Sequence, residues 1–165
     1  MQFTELHLNA SLLKAIAEER FQTPTQVQEK AIPPILAKKN VIVSAQTGTG
    51  KTAAFALPIL QLLLDRQTPE KKTKRIKSLI VTPTRELCLQ IEANFKSYAK
   101  HTDLTTTAVY GGVSLAPQKE ILKEGVDILI ATPGRLIDLH KQGAIDLLAI
   151  EIFVLDEADL MLDMG

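Results

Sequence analysis

"VIVSAQTGTGKTAAF", residues 41–55, carries the strongest indication of fold in this chain. An apolar, β-branched run leads into a loop containing Gly48 and Gly50, and an apolar helical pattern follows directly. Glycines let such a loop curl so that its backbone N–H groups point inward, and the N-terminus of the following helix adds partial positive charge. A strand, loop and helix in this order therefore predict a site for phosphate groups.

The loop fits the phosphate-binding pattern G-x-x-x-x-G-K-[ST] if Ala45 stands for the first glycine. In that pattern Lys51 reaches the β- and γ-phosphates of a nucleotide, and the Thr52 hydroxyl ligates Mg²⁺. The alternative is a glycine-rich turn with an exposed lysine, which the flanking strand and helix patterns disfavour. The residues predicted to contact the nucleotide here are Ala45, Gln46, Thr47, Gly48, Thr49, Gly50, Lys51 and Thr52.

Apolar runs and helical patterns alternate along the rest of the chain. The five runs that predict strands are "VIVSA" from Val41, "SLIVT" from Ser78, "TTAVY" from Thr106, "DILIAT" from Asp127 and "IFVL" from Ile152. A helical pattern follows each of the first four strands, and two more precede the first. This alternation predicts an α/β domain with a mostly parallel sheet and helices on both faces.

Glycines, prolines, hydroxyl-bearing residues and charged residues follow each later strand. The sequences are "PTRE", "GG", "PGR" and "DEAD", in that order. Ligands bind at the carboxyl edge of open parallel sheets, so we expect these residues to share one edge. Asp156 is predicted to hold Mg²⁺, and Glu157 to accept a proton from the water that attacks the γ-phosphate. The alternative is that these acids only favour the start of a helix.

Composition limits which classes of protein and which kinds of binding site this chain can have. The 19 basic residues balance the 19 acidic ones, so nucleic-acid binding has to come from particular residues rather than from an overall basic field. A single cysteine excludes an internal disulfide framework and a cysteine metal cluster. The first residues do not resemble a signal peptide, and no apolar run has membrane-spanning length. We therefore expect an intracellular domain without membrane contact, located in the cytoplasm with the nucleus as the alternative. We also expect it to be monomeric.

"AQTGTGKT", "PTREL", "GG", "TPGR" and "DEAD", in this order, resemble the first RecA-like domain of a DEAD-box ATP-dependent RNA helicase. The resemblance implies that ATP hydrolysis is coupled to RNA unwinding or remodelling, with Lys51, Asp156 and Glu157 as catalytic residues. Hydroxyls, bare backbone N–H groups and guanidinium groups at the other strand ends suit the phosphates of an RNA strand. The residues predicted to contact RNA are Pro83, Thr84, Arg85, Gly111, Gly112, Thr132, Pro133, Gly134 and Arg135. For each arginine, a surface salt bridge is the alternative.

The upstream stretch "RFQTPTQVQ" resembles the family's Q motif, which reads adenine. The resemblance implies that Gln28 pairs with the adenine edge, with Thr25 beside it, and that Phe21 or Phe3 packs near the base. Residues 1–39 would then be a helical segment of the same domain. Thr25 and Gln28 also form a capping-box pattern, which by itself accounts for both residues at a helix start.

Residues 40–165 are predicted to be an incomplete RecA-like ATP-binding domain. The resemblance implies a second RecA-like domain of the same protein as partner, with Asp159 coupling the nucleotide site to RNA. Without that domain we expect this chain to be nearly inactive, because arginines from the second domain stabilise the transition state. Two rival functions remain open: an ATP-gated RNA clamp without processive unwinding, and a DNA-directed ATPase.

Overall fold

The structure, a computed structural model, describes residues 1–66 and 74–164. They divide into two compact units, and the chain passes from one to the other within helix α4 (Arg85–Tyr98). The first unit contains the residues up to Arg66 and Asn94–Asp103; the second contains the residues from Lys74 to Ala93 and from Leu104 onward. The polar, lysine-rich loop that the sequence predicts after Asp65 falls largely on residues 67–73, outside the described residues.

The first unit is helical. After a 3-10 helix, Phe3–Leu6, it contains α1 (Ala10–Glu18), α2 (Gln26–Leu36), α3 (Lys51–Asp65) and the last turns of α4. Helix α1 begins at Ala10 because the Asn9 side chain accepts the N–H of Ser11 at 2.9 Å. Helix α2 packs on α3, and the fully buried side chains of this unit include Leu12, Ile16, Ile32, Leu57, Leu60 and Phe95.

The predicted first strand, residues 41–45, is wrong: the structure has no strand there. Val41 and Val43 are exposed, and Ile42 is fully exposed. An apolar, β-branched run becomes a strand only when a neighbouring strand pairs with its backbone. The four described strands all belong to the other unit and pair with one another.

Helix α2 contains Pro33 and Pro34, a pair that from sequence alone predicts a break or a kink, and the predicted break does not occur. The helix continues through both prolines and ends at Leu36. A proline lacks the N–H that an interior helical residue donates, but its carbonyl still accepts. The carbonyls of Pro33 and Pro34 accept the N–H groups of Ala37 and Lys39, both at 3.0 Å.

The second unit is built on a parallel sheet of four strands. These are β1 (Ser78–Val81), β2 (Thr106–Val109), β3 (Ile128–Ala131) and β4 (Ile152–Leu155), arranged in the order β2-β3-β1-β4. The first part of α4 follows β1, and the other helices between and after the strands are α5 (Leu115–Glu124), α6 (Pro133–Lys141) and α7 (Ala158–Met164). The predicted α/β class with a parallel sheet is confirmed.

One face of the sheet forms a hydrophobic core with α5 and α6. Leu79, Val81 and Leu129 point into this core, and Leu139 of α6 is completely buried there. Side chains of the opposite face, such as Ile80 and Ile130, are also completely buried. Strands buried on both faces explain why their sequences are apolar throughout rather than alternating. The edge strand β4 is the exception, since Phe153 and Leu155 are more than half exposed.

Among the described helices, none combines the length and the apolar character needed to cross a lipid bilayer.

Candidate functional site

The predicted phosphate loop lies in the first unit and ends at the start of α3. Gly48 and Gly50 both have left-handed backbones, with φ of +83° and +81°. The Thr49 hydroxyl donates to the Gln46 carbonyl at 2.6 Å, which closes the loop on itself. Gly50 is the N-cap of the 15-residue helix α3, so Lys51 and Thr52 occupy its first two positions. This is the local geometry in which a helix N-terminus and loop N–H groups receive phosphate oxygens.

Gln28 joins the upstream segment to this loop. Its side chain is only 3% exposed. Oε1 accepts the N–H of Thr25 at 3.0 Å, which completes the capping box, and Nε2 donates to the Gly50 carbonyl at 3.1 Å. A glutamine amide has two donors and two acceptor lone pairs, so one of each remains for an adenine edge. The structural role of Gln28 is therefore established, and adenine reading stays a prediction.

The aromatic residues predicted near the base pack against each other. The rings of Phe3 and Phe21 stack with centroids 6.3 Å apart, and the Tyr98 ring lies 6.0 Å from Phe21. Phe3 is buried, whereas Phe21 is partly exposed. A cavity of about 350 Å³ also opens beside the loop, with Thr25, Ala45 and Thr49 in its lining. That volume is within the range of small-ligand sites.

The register of the sheet aligns the predicted residues of the second unit along one edge. Val81 pairs with Ala131 and with Leu155, and Ala131 pairs with Val109. The next residue of each strand, namely Tyr110, Thr132, Thr82 and Asp156, is therefore the first beyond this common end. The predicted sharing of one carboxyl edge is confirmed for these four strands.

Asp156 is a buried carboxylate, with 7% of its surface exposed. The Thr82 hydroxyl, itself completely buried, donates to Asp156 Oδ2 at 3.2 Å, and the Asp156 N–H donates to the Val81 carbonyl at 2.8 Å. In the described part of the chain, no three acidic, histidine or cysteine side chains cluster as a metal cage. One buried carboxylate suits Mg²⁺, which takes one or two protein oxygens and completes its coordination with phosphates and water.

Glu157 has an unusual backbone for its residue type. Its φ is +53°, in the left-handed region that residues with a Cβ rarely adopt. Such strain costs on the order of 1–3 kcal/mol and is concentrated at functional sites. The conformation begins the turn from β4 into α7, where the Glu157 carbonyl accepts the N–H of Met161 at 3.1 Å.

The predicted RNA residues divide into helix caps, guanidinium groups and glycines. The Thr84 hydroxyl accepts the N–H of Leu87 at 3.2 Å and caps α4, so this threonine has a structural role of its own. Thr132 is the N-cap of α6 and Pro133 its first residue, as expected for proline at a helix start. Pro83 lines a cavity of about 240 Å³ together with Thr132, Pro133 and Gly134.

The two arginines of this edge have defined partners. The exposed Arg85 lies over the Tyr110 ring, 5.1 Å from its centroid, as a cation–π pair. Arg135 donates from Nη1 to Gln118 Oε1 at 3.0 Å and from Nη2 to the Val113 carbonyl at 2.9 Å. Neither contact is the surface salt bridge that the sequence left open as the alternative.

Two glycines of this edge are not required by the fold. A Cβ added at Gly111 or Gly134 would meet no heavy atom within 4 Å, and neither residue has a left-handed φ. Gly112 is different, because its φ of +79° itself favours glycine. An absent side chain that the fold does not need leaves room for the close approach of a ligand to the backbone.

Sequence reasoning missed three polar residues of this edge: Thr82, Tyr110 and Gln118. Thr82 and Tyr110 are the last residues of the predicted strands "SLIVT" and "TTAVY", and this place at the strand ends is a signal that could have been used. Gln118 lies in the middle of α5, where a polar residue ordinarily faces solvent, and only the fold reveals its burial.

Comparison with protein families gives a match to the "DEAD/DEAH box helicase" model over residues 25–165. Among curated proteins, the ATP-dependent RNA helicase SrmB of Escherichia coli is 48% identical over 99% of this chain, which covers 36% of SrmB. The DEAD-box ATP-dependent RNA helicase RhpA of Helicobacter pylori is 47% identical over 99% of this chain, which covers 32% of RhpA. The chain thus spans about a third of the length of these relatives.

Among solved structures, a crystal structure of a hypothetical ATP-dependent RNA helicase from Sulfolobus tokodaii is similar to this chain with a TM-score of 0.85. The two are 44% identical, and the match covers 96% of this chain and 44% of the other. At this identity the likeness extends from fold to sequence.

Proposed function

Because the chain belongs to the DEAD/DEAH box helicase family and has its RecA-like α/β fold, we propose that it is the ATP-binding half of an ATP-dependent RNA helicase. In the intact protein, ATP hydrolysis would be coupled to the unwinding or remodelling of RNA duplexes. The observation that carries the proposal is the phosphate loop, whose Gly48 and Gly50 turn into the N-terminus of α3. The names of the similar helicases from Escherichia coli and Helicobacter pylori support RNA as substrate.

In this proposal the phosphates of ATP bind at the N–H groups of the loop and at Lys51. The base lies toward Gln28 and Phe21, on the side of the loop where Gln28 contacts Gly50. The loss of a phosphate from the nucleotide would then shift the loop, and the hydrogen bond from Gln28 to the Gly50 carbonyl would transmit that shift to Gln28. The shared hydrogen bond supports a single site for base and phosphates in this unit.

Asp156 would supply a carboxylate oxygen to Mg²⁺, which neutralises charge on the phosphates. Thr82 orients Asp156 through its hydroxyl, and the parallel register keeps the two residues side by side. Glu157 would accept the proton of the attacking water. Its place directly after Asp156, at the carboxyl edge of the sheet, supports this role.

RNA would lie along the carboxyl edge of the sheet, held by its phosphates. Gly111 and Gly134 admit the backbone of the strand, and Arg85 supplies positive charge on the exposed side. Contacts of this type carry no base sequence information, so we expect little sequence specificity. A second RecA-like domain would contact the RNA from the side opposite the sheet edge, and Asp159 would couple that domain to the nucleotide site. A monomeric, cytoplasmic protein remains the prediction.

The proposal is tested by isothermal titration of the chain with Mg-ATP and by its affinity for single-stranded RNA. Lys51→Ala should reduce ATP affinity at least tenfold, because the phosphates lose the cation of the loop. Lys14→Ala is the matched control, since Lys14 is an exposed lysine of α1. Unchanged ATP affinity in Lys51→Ala would overturn the nucleotide site. Preference for DNA over RNA of the same sequence would instead favour the DNA-directed ATPase.

A further inference from the structure

Gln118 is a buried polar residue of the second unit that the proposed function does not use. It lies on α5, away from every predicted motif in the sequence, yet only 8% of it is exposed. We propose that Gln118 is a positioning residue for RNA: its amide locks the Gly111–Gly112 turn and Arg135 into one preformed phosphate-binding surface. This inference rests on the proposed RNA-binding role of the sheet edge.

Both ends of the Gln118 amide are engaged. Nε2 donates to the Tyr110 carbonyl at 3.1 Å, and Oε1 accepts from Arg135 Nη1 at 3.0 Å. An arginine only donates and a backbone carbonyl only accepts, so these two partners permit a single orientation of the amide. The orientation of Gln118 thus links the loop after β2 to the first turn of α6.

Arg135 closes the connection on the other side of the turn. Its Nη2 donates to the Val113 carbonyl at 2.9 Å. The carbonyls of Tyr110 and Val113, which flank the two glycines, therefore both accept protein donors. These two carbonyl oxygens would repel a phosphate if they faced it, and their hydrogen bonds hold them toward protein donors instead. The exposed glycines are then the open part of the turn.

Tyr110 extends the network to a third motif. While its carbonyl accepts from Gln118, its ring lies under the guanidinium group of Arg85. Residues of "PTRE" and "TPGR" and the residues that flank "GG" are thereby connected through Gln118 and Tyr110. A surface held in its binding geometry before the ligand arrives loses less conformational entropy on binding, so its affinity is higher.

A purely structural role for Gln118 would affect stability without affecting RNA affinity. The test uses the full chain with Gln118→Ala and Gln118→Glu, and Gln90→Ala as control, because Gln90 is an exposed glutamine of α4. Glutamate keeps the size of the side chain and an acceptor for Arg135, but it cannot donate to Tyr110. Three quantities are measured: RNA affinity by fluorescence anisotropy at fixed salt, ATP affinity, and amide hydrogen exchange at residues 111–114 without RNA.

We expect Gln118→Ala to weaken RNA binding about tenfold, the effect of one or two net hydrogen bonds, and to speed exchange in the turn by a similar factor. ATP affinity should be unchanged, and Gln90→Ala should match the parent throughout. Gln118→Glu should show a smaller loss of RNA affinity. If Gln118→Ala does not fold, the inference is tested with Gln118→Glu. Parental RNA affinity in a folded Gln118 variant would overturn this inference alone. A parent chain that binds no RNA would overturn the proposed function as well.

Discussion

Gly134 offers a substitution that should raise stability and lower RNA affinity together. It is the second residue of α6, its backbone is not left-handed, and an added Cβ would meet nothing within 4 Å. Alanine is favoured over glycine in a helix by about 0.5–1 kcal/mol. For a chain of this size, Gly134→Ala should therefore raise Tm by about 1–4 °C.

The same methyl group would occupy the space that the proposed RNA strand uses. A hydrogen bond to a charged group contributes about 1.5–3 kcal/mol, and displacing a phosphate from one such bond weakens Kd by about 10- to 150-fold. Thermal unfolding by circular dichroism measures the first effect. Fluorescence anisotropy with labelled single-stranded RNA at fixed low salt measures the second.

Gly143, just beyond the other end of α6, provides the matched control. A Cβ added there would also meet nothing within 4 Å, but the φ of +68° is unfavourable for alanine by about 1–2 kcal/mol. Gly143→Ala should therefore lower Tm and leave RNA affinity unchanged. If Gly134→Ala is stabilised but binds RNA like the parent, RNA does not approach this glycine closely. If it is destabilised, the space around Gly134 is not open.

Three further predictions address nucleotide selection, hydrolysis and pH. Gln28→Ala should lower Tm by removing the contacts to Thr25 and Gly50, and should also abolish any preference for ATP over GTP in a thermal-shift series; an intact preference would leave Gln28 with a structural role only. Glu157→Gln in the intact protein should bind ATP normally but lose most ATPase activity, because an amide cannot accept the proton; normal turnover would assign the base elsewhere. Burial raises the pKa of Cys88 from 9.0 to about 12, with the Glu92 carboxylate adding to the shift, and burial likewise raises the pKa of Tyr98 from 10.0 to about 12. As pH rises, the unfolded chain loses these protons before the folded chain does. The free energy of unfolding should therefore fall above pH 9 by at most about 1.4 kcal/mol per pH unit for each group. Cys88→Ala should make this fall less steep.

Local features of this chain were readable from the sequence because they depend on neighbours within a few residues. The Thr25–Gln28 capping box formed as its spacing predicts. The strands β1 to β4 and the helices between them also lie where the apolar patterns indicated them. The ordered motifs identified the family, and the family match and similar structure confirm that resemblance.

Residues 41–45 show where a local pattern fails. Their composition is as typical of a strand as that of β1, and yet they form none. Pairing partners decide whether an extended apolar run becomes a strand, and those partners are distant in sequence. The two consecutive prolines of α2 show that local patterns are equally limited for helices. Local preference disfavours proline inside a helix, and yet α2 continues through both prolines.

The polar contacts between distant residues depend on the fold alone. Thr82 meets Asp156 across 74 positions, Gln28 meets Gly50 across 22, and Gln118 meets Arg135 across 17. No local rule links such pairs, because each depends on which strands are neighbours and on how a loop returns to a helix. The order of residues shows which chemical groups this protein has and which strand ends bear them. Which of these groups are buried and paired follows from the fold, because burying a polar group is tolerated only where a partner is in reach.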